Sequence, residues 1–179
     1  ITIPKLRINN FSAKDLLNKR FVTDYIQIEN PTINIFSNYT KPRCPTCFKN
    51  YFYEYLSKAD FEIGIDSIAI NNSTLNYELL KVMNRETGSL YWKNINTKVY
   101  DLTNIEAKNK ENTRVDITAQ FMERGDTKVN FTFPNYNCEK NYTFSASLVN
   151  FNLDNLNPFL DAYYRLNIKK GEFIKLKLN

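Results

Sequence analysis

Apolar and polar residues alternate along most of this chain. Val115, Ile117, Ala119 and Phe121 are separated by Asp116, Thr118 and Gln120; Val129, Phe131 and Phe133 by Asn130 and Thr132; Tyr142, Phe144, Ala146 and Leu148 by Thr143, Ser145 and Ser147. A period of two sends one set of side chains to each face of a strand. One apolar and one polar face predicts antiparallel strands covered on a single side. The short stretch 123–126 (ERGD) between the first two runs predicts a hairpin turn. Upstream, Leu6 and Ile8 mark one strand, and Ile26 and Ile28 another. Ile33 and Ile35 mark the next, after a break at Asn30-Pro31. Pro31 suits an edge strand or a bend. Phe61, Ile63 and Ile65 lead to Ile68 and Ile70 with a phase slip near Asp66-Ser67, which predicts a bulge. Asn71-Asn72 is then expected to turn the chain into Leu75 and Tyr77. Leu90, Trp92 and the stretch 95–102 give less regular strand, and Ile174, Leu176 and Leu178 close the chain.

Three segments read as short helices. Ser12 caps the first, with Asp15 three residues on. The run Phe48, Tyr51, Phe52, Tyr55, Leu56 has helical spacing, and a helix that buries such a stripe lays it against a sheet. Residues 152–160 hold the third. Pro158 is compatible only with its first turn, so this helix is short or broken. The expected fold is mainly β with short helices (α+β): one domain over 1–179, an elongated, curved, largely antiparallel sheet packed with two or three helices.

Composition narrows the function. A chain of 179 residues buries enough surface to hold a core without metal or disulfide. Thirteen Phe and twelve Tyr argue against disorder, and no stretch approaches the ~20 apolar residues of a membrane helix. The complete absence of His removes the commonest general base and metal ligand, and with it every Ser-His-Asp or Cys-His scheme. A net charge of +5 is spread along the chain, its nearest approach to a cluster being Lys169, Lys170, Lys175 and Lys177. Nucleic acid is therefore not an expected partner. The 26 Asn suit positions of left-handed backbone.

Candidate chemistry is sparse. Cys44-Pro45-Thr46-Cys47 is a C-x-x-C ahead of a helix, a place where the first thiol's pKa is depressed in redox proteins. The flanks are not a βαβ unit. A zinc site needs two more ligands, and Cys138 supplies one. Incidental or structural cysteines, a local Cys44–Cys47 disulfide, redox chemistry and zinc remain the alternatives; no metal and no cofactor is expected. Asp60, Glu62 and Asp66, or Glu123 and Asp126, lie close enough in sequence for a two-carboxylate hydrolase, without distinctive spacing. Gly64, Gly88, Gly125 and Gly171 are isolated and read as turns or bulges, not phosphate loops.

The order of elements resembles the AsmA/TamB group of periplasmic envelope proteins, bridge-like lipid-transfer proteins. Three phrases carry the likeness. The first is residues 1–12 (ITIPKLRINNFS), then 15–17 (DLL) and 26–36 (IQIENPTINIF). The second is 61–77 (FEIGIDSIAINNSTLNY), like the family's strand–turn–strand unit, with Asn71-Asn72 in place of the usual turn glycine. The third is 142–160 (YTFSASLVNFNLDNLNPFL), followed by 168–178 (IKKGEFIKLKL). The resemblance implies no catalytic residues. It implies a curved sheet whose apolar face shields acyl chains, in a periplasmic fragment of a larger parent anchored in the inner membrane. The implied partners are phospholipid or another acyl-chain ligand and outer-membrane assembly components.

A non-enzymatic role in outer-membrane assembly or lipid transport is thus the leading expectation. Its lipid-contacting candidates are Ile63, Ile65, Val115, Ile117, Phe121, Val129, Phe131, Phe133, Tyr142, Phe144 and Leu148. For each of them the competing reading is ordinary core packing. A second expectation is a secreted module that binds glycan or protein through surface Tyr and Trp92.

Overall fold

A computed structural model describes residues 1–40, 52–81, 86–106, 112–135 and 142–179. Cys44, Cys47 and Cys138, and the aromatic run before residue 52, lie outside the described residues. The strands are β1 (Lys5–Asn9), β2 (Arg20–Glu29), β3 (Thr32–Asn38), β4 (Glu62–Leu80), β5 (Thr87–Thr103), β6 (Asn112–Phe121), β7 (Gly125–Pro134), β8 (Thr143–Asn152) and β9 (Glu172–Leu178). The helices are α1 (Ala13–Leu17), α2 (Phe52–Ser57) and α3 (Asn157–Tyr164), the last entered through a 3-10 turn, Leu153–Leu156. All nine strands form one open sheet in the order β1-β2-β4-β5-β6-β7-β8-β9, with β3 also on β4. The fold is mainly β with short helices, as the alternation predicts.

Every neighbouring pair is antiparallel except β2 with β4 and β3 with β4. These parallel pairs need a crossover, and α2 lies on the connection that supplies it. β2 and β3 form one broken strand along β4, each residue facing the one 42 positions later. Many facing residues are identical: Ile26 and Ile68, Ile28 and Ile70, Thr32 and Thr74, Asn34 and Asn76.

The expected turn at Asn71-Asn72 is not there. β4 runs through it for 19 residues, about 60 Å of extended chain. Asn72 instead holds a bulge, with φ 53°, and the register with β5 shifts around it. Asn30 (φ 52°) and Asn94 (φ 51°) take the same left-handed conformation on the flanking strands. Side chains tie this line together. Asn72 Nδ2 donates to Asn30 Oδ1 (2.7 Å), the Asn72 backbone N–H to Asn96 Oδ1 (3.1 Å), and Asn94 Nδ2 to Gln120 Oε1 (2.6 Å). Short polar side chains that bond locally make left-handed backbone tolerable, so the line bends three strands together. The phase slip near Asp66 is accommodated differently. The β4–β5 register holds there, and Asp101 on β5 becomes left-handed (φ 58°).

Ser12 caps α1 as expected, whereas α3 begins after Leu156 with no side-chain cap. Ser12 Oγ accepts from the Asp15 N–H at 3.2 Å, and Pro158 sits in the first turn of α3. The glycines do not serve as left-handed turn residues, since none has positive φ. Gly88 instead lets α3 lie close on β5: a Cβ there would come within 3.1 Å of the Phe159 carbonyl oxygen.

Candidate functional site: an open apolar band

Because each phase slip is matched on neighbouring strands, the apolar residues stay on one face of the sheet. Two parts of that face are packed. At one end Leu56 of α2 covers Ile65, Leu102 and Phe133, with Phe21, Ile26, Ile63, Ile68, Val99, Val115 and Phe131 around them. Asn104 holds this cover in place, accepting from the Ile63 N–H (2.6 Å) and donating to the carbonyls of Leu56 (3.1 Å) and Phe61 (2.8 Å). At the other end the 3-10 turn supplies Leu153 and Leu156 over Phe121, Met122 and Phe151. Trp92 packs on Phe121, with ring centroids 4.8 Å apart.

Between the two packed regions runs a band that neither covers. The strand registers place Leu6, Ile28, Ile70, Thr97, Ile117, Val129, Ala146 and Leu178 side by side, one per strand, from β1 to β9. None belongs to either packed cluster, and none is buried. The six inner members are half-exposed. Leu6 and Leu178, at the two edges, are 55% and 54% exposed. A parallel row, Ile8, Ile26, Ile68, Val99, Val115, Phe131 and Phe144, borders the band and joins it to the α2 end. At strand spacings near 4.8 Å the band is about 34 Å long. Where it meets β8 and β9 it deepens into a cavity of about 200 Å³ lined by Trp92, Phe121, Ala146, Leu148, Leu176 and Leu178.

The candidate residues fall into three groups. Ile65, Phe121 and Phe133 are buried within the two packed clusters, and Ile63 packs against the first of them. Val115, Ile117, Val129, Phe131 and Leu148 are half-exposed on the band, on its bordering row or in the cavity. Tyr142 and Phe144 are exposed and ring Phe131, at centroid distances of 5.7 and 6.5 Å. Sequence reasoning missed Leu6, Ile28, Ile70, Ala146, Leu176 and Leu178. Each carries the same alternation signal, but only the register aligns them.

The opposite face is polar. Lys98, Asp116, Asn130 and Ser145 face one another on successive strands. Of the carboxylates grouped by sequence proximity, three lie in exposed ion pairs: Asp60 with Lys19 (3.5 Å), Glu62 with Arg20 (3.2 Å) and Glu123 with Lys93 (3.9 Å). Burial pushes the Tyr91 phenol above its ordinary range, and the Glu123 charge and hydrogen bond add to the shift. Among the described residues no group of three or more His, Cys, Asp or Glu is placed to hold a metal. No helix of the described residues is long and apolar enough to cross a membrane.

Comparison of the chain with protein-family models, with curated proteins and with solved structures found no match.

Proposed function

We propose that the chain is a non-enzymatic, AsmA-like periplasmic segment that carries acyl chains along its apolar sheet face, in outer-membrane assembly or lipid movement between membranes. The observation that supports this reading is the row from Leu6 to Leu178, which belongs to neither packed cluster of the described residues and runs from one sheet edge to the other. Contiguous exposed apolar surface of this kind marks an interaction site. An acyl chain laid along it gains about 0.8 kcal/mol per buried methylene. The cavity at its β8–β9 end, about 200 Å³, is smaller than the ~300 Å³ at which compact ligand pockets begin, which suits a segment of a chain better than a whole compact ligand. No step of this function needs a titrating group, so the ion-paired carboxylates are left to solubility.

Native mass spectrometry of the protein purified gently from bacteria tests the reading. Adducts with phospholipid masses are expected. A protein recovered free of lipid, and unable to take up a fluorescent fatty acid from vesicles, contradicts it.

A further inference from the structure

The polar face carries a second feature, independent of the apolar band. Lys98 on β5, Lys128 on β7 and Lys177 on β9 stand on this face within a few residues of one another in the strand registers. Lys128 faces Ser147, which faces Lys177; Lys98 faces Asp116, two residues along from the Thr118 that faces Lys128. A hollow of about 400 Å³ lies between Lys98 and Lys128, lined also by Tyr100, Asp116, Thr118 and Asn130. A second, of about 190 Å³, adjoins it between Lys128 and Lys177, with Ser145 and Ser147. The three ammonium groups are exposed and have no ion-pair partner among the described residues. Asp116, the carboxylate lining the hollow, is already engaged by Arg114 (3.3 Å) and Asn130 (2.8 Å). Lys128 and Lys177 sit two strands apart, about 10 Å, within reach of two flexible stems that converge on one group.

We propose that this hollow binds a phosphate-bearing ligand. Lys98, Lys128 and Lys177 supply the charge, and the hydroxyls of Ser145, Ser147 and Thr118 supply neutral donors. Phosphoryl oxygens are the complement of such a set, because lysine binds phosphate as a point charge without the planar geometry that carboxylate recognition favours. The ligand is either a soluble phosphate compound or a lipid headgroup.

The experiment titrates the intact protein with inorganic pyrophosphate by calorimetry, and in parallel with phosphatidylcholine vesicles with and without phosphatidylglycerol. The variants are the triple Lys98→Gln/Lys128→Gln/Lys177→Gln and a control, Lys14→Gln/Lys58→Gln, which removes exposed charge elsewhere. The triple variant keeps the wild-type Tm and loses about tenfold or more in pyrophosphate affinity at low salt, whereas the control does not. Binding to phosphatidylglycerol vesicles without pyrophosphate binding, lost in the triple variant only, assigns the phosphate to a headgroup and supports the site. Absence of both, or equal losses in triple and control variants, overturns it. Fatty-acid uptake by the apolar face is unchanged in the triple variant, so the two proposals fail separately.

Discussion

Asn10, Asn30, Asn72, Asn94 and Asn150 all hold the backbone at positive φ, and the glycines hold it nowhere. An abundance of Asn is therefore a structural statement here: it supplies the bends that glycine supplies in other sheets. Asn72→Val forces a branched side chain into left-handed backbone and removes the bond to Asn30. We expect a loss of about 2–3 kcal/mol in urea denaturation, and a smaller loss for Asn72→Gly, which keeps the backbone. Equal effects of the two would contradict the role given to the backbone. Tyr91 offers a residue-scale test of electrostatics. Its phenol is raised above the ordinary value near ~10, so the fold favours the neutral form. The stabilisation it contributes is complete below the unfolded-chain pKa and is lost as pH rises through the higher folded value. Ultraviolet titration of tyrosinate should show Glu123→Gln moving this group back toward the ordinary value, without reaching it because burial remains.

At the scale of elements, periodicity made most strands legible, and Ser12 and Pro158 did the same for the starts of α1 and α3. Ser12 and Pro158 sit where their chemistry demands. Asn71-Asn72 misled, because Asn favours turns and bulges alike. The local sequence does not say whether the chain reverses or only shifts a face; the answer depends on Asn30, Asn94 and Asn96 across the sheet. The parallel pairing of β2 and β3 with β4 was equally hidden, since alternation carries no strand direction. Its trace was the reappearance of Ile26, Ile28, Thr32 and Asn34 as the same residues 42 positions on. Asn104 was not singled out by any pattern, yet it binds three backbone groups between α2 and the β4–β5 end. Asn104→Ala should cost about 1–3 kcal/mol and speed amide exchange in α2 and at Ile63, leaving α3 unchanged. Uniformly faster exchange would instead make the loss global.

For the whole molecule, the consequence is a sheet with two covered ends and an open middle. The alternation marks the apolar face of each strand, but only the register separates packed residues from open ones. Phe131 and Ile117 illustrate this, being alike in sequence context. Phe131 packs against the cluster under Leu56; Ile117 belongs to neither cluster. Phe131→Ala should therefore lower stability by about 2 kcal/mol or more. Ile117→Thr, which keeps a β-branched strand former, should cost less stability than Phe131→Ala while weakening fatty-acid uptake.

The central claim is that the row from Leu6 to Leu178 is where an acyl chain lies. Methyl NMR with a spin-labelled fatty acid addresses it directly. Paramagnetic broadening should be strongest at Ile28, Ile70, Ile117, Val129 and Leu178, and weak at Leu56, Leu79 and Leu102. Broadening confined to other exposed residues such as Leu17 and Ile1, or none at all, would contradict the account.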